Sequence, residues 1–322
     1  MVRNVWVIVA VAAVVVAVFG GVAAYWEITS AAAGGELVIF HAGSLSVPFG
    51  EVSAEFEKMY PDITIKAEAA GSRMCARKIS ELGRACDVMG SADYKVVGNL
   101  LMGEHVDFNI RFALNEMAIA YTDGSRCSVD ITAENWYDIL AGDDVAFGRS
   151  DPDMDPCGYR TLMVFQLAEK HYEIPGLAAR LRAKDRHIRP KETDLLALLE
   201  AGEIDYLFIY RSVAVQHGLK TVLLPDEINL KSQAHAALYN TAVVEVSGRR
   251  PGEPITRRGE PMVYSVTIPM NAPNRRAAEA WVALLLSEKG REIMETNGQR
   301  CMRPAEVDGA DRLPDSLKEF FE

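Results

Sequence analysis

Three turns carry residue types that could do chemistry: HAGSLS (41–46), AAGSRM (69–74) and DPCGYR (155–160). Each follows a strand-like segment and precedes a helical pattern. Each therefore aims the free N–H groups of a helix start at one place, where the aligned peptide dipoles favour negative charge. Gly43 and Gly71 allow close backbone approach, and Ser44 and Ser72 set a hydroxyl donor beside the amides. Singly, such turns are ordinary helix caps. Three in one chain, on strands that can share a sheet edge or face it, make a candidate anion site, because ligands of open α/β sheets sit beyond the carboxyl ends of strands.

Other chemistries fit less well. His41 and Ser44 could be combined with an acid into a hydrolase triad. HAGS is not the GxSxG elbow, however, and neighbours three apart in a turn seldom reach each other correctly. His41 is expected to be a packed turn histidine, and His105, His171, His187, His217 and His235 are scattered surface residues without ligand spacing. No GxGxxG follows a strand, which removes dinucleotide binding. The five cysteines (Cys75, Cys86, Cys127, Cys157, Cys301) include no CxxC and no Cys/His cluster at zinc spacing. One or two surface disulfides are the expectation. Cys75 and Cys86 are close enough in sequence to pair, although sequence does not determine pairing.

The elements that must position these turns alternate in type. ELVIF (36–40), DITIKAEA (62–69), CDVMGS (86–91), MAIAYT (117–122), VAFG (145–148) and IDYLFIY (204–210) read as strands. Helical patterns follow most of them: one through Val52, Phe56 and Met59, one near Arg73–Leu82, one at Trp136–Leu140, one over CGYRTLMVFQLAEKHY, and one over ETDLLALLEAG (192–202), ended by Gly202. AVVEV (242–246) and EPMVYSVTIP (260–269) flank SGRRPGEP as two strands joined by a loop, and an amphipathic helix pair follows. Strands alternating with helices imply an α/β class with parallel sheets.

Ahead of all this, Asn4 to Trp26 is a run of 23 uncharged residues, preceded by Arg3 and followed by Glu27. It is long enough to span a bilayer, while the small residues at 30–33 suit a signal peptidase. Either way the charge asymmetry leaves the remaining ~290 residues outside the cell. No cysteine follows the run for lipid attachment. The formal charge of −11, from 34 basic and 45 acidic residues, argues against nucleic-acid binding.

Taken together, FHAGSL, EAAGS, SADY (91–94), DPCGYR, RPKETDLLALLEAGEIDYLFIYRSVA and VYSVTIPMNA resemble the exported tungstate/molybdate-binding proteins of archaeal type, the solute-binding components of ABC transporters. The resemblance runs from Glu36 to about Cys301. It implies a periplasmic-binding-protein type II fold, two α/β lobes joined by two hinge strands around a ligand cleft. Lobe 1 would take 36–117 plus 264–322 and lobe 2 would take 118–263, with 1–30 a signal sequence or membrane anchor. MAIAYT and VYSVTIP would be the crossover strands.

Site residues carry over position by position. Ser44, beside Gly43, and Ser72 would be hydroxyl donors to the oxyanion, and Tyr210 a phenol donor. The turn Asp155–Pro156–Cys157 would supply the Cys157 amide. Asp155 and Glu192 would be direct ligands to the tungsten or molybdenum atom. By position alone both acids equally suit helix N-caps.

Two carboxylates beside a dianion are a physical problem, since unit charges 4 Å apart repel by about 4 kcal/mol at an effective dielectric near 20. They become favourable only if their oxygens bond the central atom, which tungsten and molybdenum permit and sulfur in sulfate does not. The function implied is capture of tungstate or molybdate for an ABC permease at the extracellular face, by a monomer with no catalysis and no cofactor. Sulfate or phosphate capture on the same fold is the nearer alternative, and a membrane-anchored serine hydrolase the remote one.

Overall fold

A computed structural model describes residues 34–321 apart from 249 and 251. The segment read as a signal sequence or anchor lies outside the described residues. Among the described residues no helix is long and apolar enough to cross a membrane.

The chain begins as a β/α winding. β1 (Gly35–Ala42), α1 (Ser46–Met59), β2 (Ile63–Ala70), α2 (Ser72–Ser80), β3 (Val88–Ser91), α3 (Tyr94–Leu100) and β4 (Asn109–Leu114) follow in order. The apolar core of β1 suits a strand covered on both faces, and it pairs in parallel with β2 on one side and β3 on the other.

A second winding runs β5 (Met117–Tyr121), α4 (Trp136–Ala141), β6 (Phe147–Ser150), α5 (Pro156–His171), α6 (Leu177–Lys184), β7 (His187–Arg189), a 3-10 turn (Glu192–Leu195), α7 (Leu196–Glu200), β8 (Tyr206–Tyr210), α8 (Arg211–Gln216) and β9 (Lys220–Leu223). After α9 (Ala236–Tyr239), β10 (Val243–Ser247) and β11 (Pro254–Arg258) form an antiparallel hairpin whose first strand packs on α5. The chain then returns through β12 (Val263–Thr267), α10 (Arg275–Leu286), α11 (Glu288–Thr296), β13 (Arg300–Asp308) and α12 (Asp315–Lys318).

Two sheets result, a six-stranded one in the order β13-β4-β12-β3-β1-β2 and a five-stranded one in the order β7-β6-β8-β5-β9. The chain passes between them twice, at 115–116 and at 259–262. MAIAYT therefore lies wholly in the second sheet and VYSVT wholly in the first, with the crossing backbone just ahead of each. Neither sheet is all-parallel: β12 is antiparallel to β3 and β4, and β5 to β8 and β9. Both strands arrive over short links rather than crossover helices, and only a parallel neighbour needs the longer connection.

Three expectations change in detail. SGRRPGEP joins β10 to β11, a strand built on PITRR (254–258) that its charged composition hid. ETDLLALLEAG divides into a 3-10 turn and α7, and Gly202 stops it in a left-handed conformation (φ 73°). All five cysteines are free thiols, and all but Cys127 are buried. The Cys75 thiol donates to the His41 carbonyl and that of Cys86 to the Val88 carbonyl, so both are packed core groups rather than a bridge.

Each half has an aromatic centre. Phe49 meets Trp281 edge-on at 4.8 Å under the first sheet. Phe147, Phe165 and Phe208 form a T-shaped triangle under the second, with centroids 5.1 to 6.1 Å apart.

Candidate functional site

Every turn singled out by sequence lies at the carboxyl end of a strand, and the turns of the two halves face each other. The contact is backbone-close. A Cβ on Gly71 would collide with the Met154 carbonyl and sit 2.9 Å from the Asp155 Cβ, and one on Gly43 would lie 2.8 Å from Thr193 Oγ1 and 3.2–3.3 Å from both Glu192 carboxylate oxygens. Gly71 is thus required against backbone, whereas a side chain at Gly43 would displace Thr193 and Glu192; HAGS meets PKET while AAGS meets DPC. The amides of Arg73 and Met74 donate across to the Met154 carbonyl at 3.1 and 3.2 Å.

The three hydroxyls share one arrangement. Ser44, in the 3-10 turn after β1, accepts a hydrogen bond at Oγ from the Tyr264 phenol (2.8 Å), which itself receives Asn115 Nδ2 (2.9 Å). Ser72, the first residue of α2, accepts at Oγ from the Ala92 amide (2.9 Å). Tyr210, the last residue of β8, accepts at its phenol oxygen from Arg160 Nη1 (3.0 Å). A hydroxyl has one hydrogen, so each is fixed as an acceptor toward the protein and keeps that hydrogen to donate. All three are buried, and burial raises the Tyr210 phenol well above its ordinary range, keeping it protonated.

The carboxylates divide. Asp155 is the N-cap of α5, its Oδ1 accepting from the Cys157 amide (3.3 Å) and its Oδ2 from the Glu192 amide (3.2 Å). Pro156 occupies the first turn, where its missing N–H costs nothing. The Cys157 amide is thus engaged by Asp155, and its buried thiol faces the Phe208 carbonyl. Glu192 is not a cap. It opens the 3-10 turn, its carboxyl is buried, and neither oxygen receives a hydrogen bond from an N–H or hydroxyl donor, so its neighbour is the Asp155 carboxyl. Burial, then the neighbouring Asp155 charge, pushes Glu192 well above its ordinary carboxyl range. Burial also raises Asp155, against the pull of its hydrogen bonds.

The hydrolase geometry is absent among the described residues: Ser44 Oγ bonds Tyr264, whereas buried His41 bonds the Ala42 carbonyl through Nδ1 and packs against Phe49 at 5.7 Å. The other five histidines lie outside the core.

Sequence reading missed Tyr264, Arg160 and Asp93. Arg160 is buried on α5, its Nη1 reaching both the Ala92 carbonyl (2.7 Å) and Tyr210. The available signal was a guanidinium at an inward position of an apolar helix, which requires a partner. A cavity of about 540 Å³ lined by Lys95, Asn99, Thr256 and Glu260 includes none of the sequence-singled residues.

Two α/β halves crossed twice by the chain, with polar groups converging at facing strand ends, define the periplasmic-binding-protein fold. Solved structures share it. The chain superposes on the periplasmic molybdate-binding protein of Azotobacter vinelandii with a TM-score of 0.58 at 17% identity, covering 82% of this chain and 98% of that one. The sulfate-binding protein SubI of Mycobacterium tuberculosis gives 0.59 at 11% identity, covering 84% and 88%.

Residues 37–300 match the bacterial extracellular solute-binding protein family, and the chain belongs to it. Relatives include a molybdate/tungstate-binding protein WtpA of Pyrococcus abyssi, 39% identical over 315 residues, covering 89% of this chain and 90% of the relative. An uncharacterized solute-binding protein of Petrotoga mobilis is 50% identical over 289 residues, with the same coverage. This is a family of exported binding proteins rather than of enzymes.

Proposed function

We propose that the chain captures tungstate or molybdate between its two lobes and delivers it to an ABC permease at the outer face of the membrane. In this reading lobe 1 comprises 36–114 and 263–322 and lobe 2 comprises 117–258, joined at 115–116 and 259–262, each boundary a few residues or fewer from the sequence expectation, and residues 1–30 export the chain and either anchor it or are cleaved. It acts as a monomer.

One observation carries the reading: Glu192 buries a carboxyl group whose oxygens receive no hydrogen bond from an N–H or hydroxyl donor of the protein, beside a second buried carboxyl, Asp155. An unpaired buried acid is costly unless something binds it. Ionised, the two acids would repel sulfate or phosphate, whereas an electrophilic tungsten or molybdenum centre gains two oxygen ligands. Among the described residues no group of three or more His, Cys, Asp or Glu side chains stands together as a metal cage. A pair of carboxylates suits a centre that brings its own oxygens. Ser44, Ser72 and Tyr210, each with a hydrogen to give, would meet its oxo groups. The relatives named for molybdate and tungstate agree with this chemistry.

The test is calorimetric titration with sodium tungstate, alone and in large excess of sulfate. Tight one-to-one binding indifferent to sulfate is expected. Binding abolished by sulfate would reduce the carboxylates to structural groups, and no heat with either anion would remove the oxyanion reading.

A further inference from the structure

SADY (91–94) touches the oxyanion chemistry through the Ala92 amide on Ser72, yet its acid, heavily bonded among the described residues, has no part in it. Asp93 caps α3, its Oδ1 accepting from the Lys95 amide (2.8 Å). Its Oδ2 receives Arg257 Nη2 at 2.5 Å, lies 3.5 Å from Arg160 Nη2, and accepts from the Tyr159 phenol. Asp93, Tyr159, Arg160 and Arg257 are all buried. Asp93 follows β3 of the first sheet, Tyr159 and Arg160 lie on α5 beside the second, and Arg257 is on the hairpin that packs against α5. Arg160 has one more attachment, since the Nη1 that holds the Ala92 carbonyl also holds Tyr210.

The geometry points to Asp93 and Arg160 as a clasp that holds the two lobes shut and, through Tyr210, ties closure to the oxyanion site. The guanidinium fixes the phenol as an acceptor, so its hydrogen turns toward the cleft only while Arg160 is seated on Ala92 and Asp93. Closing buries the pair together, and opening returns both charges to water. The pair therefore governs how long a closed complex lasts rather than how fast it forms. Both are positioning residues. The link to Tyr210 rests on the proposed function; the clasp between lobes does not.

Asp93→Asn keeps a good N-cap and Arg160→Lys keeps the positive charge, so both variants retain the local fold. Stopped-flow release of tungstate should be faster by about tenfold or more in each, with association unchanged, as expected when a desolvated charge pair is broken. Small-angle scattering without ligand should give a larger radius of gyration for Asp93→Asn than for the parent. A purely structural role would lower the melting temperature without altering release from the folded protein, so unchanged release overturns the proposal. If the parent takes up no tungstate, the functional reading falls. The unliganded dimensions then decide the clasp alone, and equal radii overturn it.

Discussion

Asp93 and Glu192 are alike in type and place: buried carboxylates, each in a turn that follows a strand. Their surroundings are opposite. Asp93 has two guanidiniums, a phenol and a backbone amide, whereas Glu192 has another acid and no N–H or hydroxyl donor. Burial alone would raise both. At Asp93 the Arg257 and Arg160 charges overcome it and hold the carboxyl down at about 2, while at Glu192 nothing does and the group rises. A folded chain tolerates the first arrangement by itself. The second is tolerable only if a proton or a bound ligand completes it, and this separates a self-sufficient acid from a binding one more sharply than burial or motif.

Removing the binding acids should have the largest effect. Asp155→Ala is expected to weaken tungstate binding by about 3 kcal/mol or more, over a hundredfold, by calorimetry. Circular dichroism should be unchanged. Full affinity in this variant would collapse the distinction between the two acid sites.

Removing the clasp acid should act on stability as well as on release. Asp93→Ala leaves Arg160 and Arg257 buried without their counter-charge, and urea unfolding should report a loss of about 3 to 5 kcal/mol. A loss near zero would mean that the cluster is solvated in solution.

Ser44→Ala should be milder, costing about 1 to 3 kcal/mol in tungstate affinity for one hydrogen bond to a charged ligand. Because Ser44 Oγ is also the acceptor for Tyr264, a small loss of melting temperature should accompany it.

The smallest effect, and the one that tests the contrast most directly, is the sign of the pH dependence. Asp93 is lowered from 3.8 to about 2 in the folded protein. Its stabilisation is therefore present above 3.8 and lost as pH falls toward 2. Glu192 is raised from 4.5. The folded state holds a proton that the unfolded chain releases, so its contribution declines as pH rises above 4.5. Unfolding of Glu192→Gln without ligand should lose the second slope and keep the first.

Much of this was legible in the sequence because it is local. A Gly-Ser turn between a strand and a helix needs only its own residues to form, so HAGS, AAGS and DPC were placed where they stand. The strand-helix alternation likewise announced the α/β class. β11 escaped because PITRR carries its charges into the pairing, and the helix at 192–200 broke because Glu192 turns inward rather than continuing a regular first turn. The cysteines gave no hint of being core residues, since burial of a thiol is decided by neighbours distant in the chain.

Short stretches with their own conformational preferences set the periodic elements and the turns, and composition set the acidic charge and the residue types available for an oxyanion. What each acid does was settled by packing between distant segments. The charge state of a carboxylate depends on what lies within a few ångströms of it. Arg257 stands 164 residues from Asp93, and Asp155 stands 37 from Glu192. No local pattern distinguishes an aspartate that meets two guanidiniums from a glutamate that meets another acid.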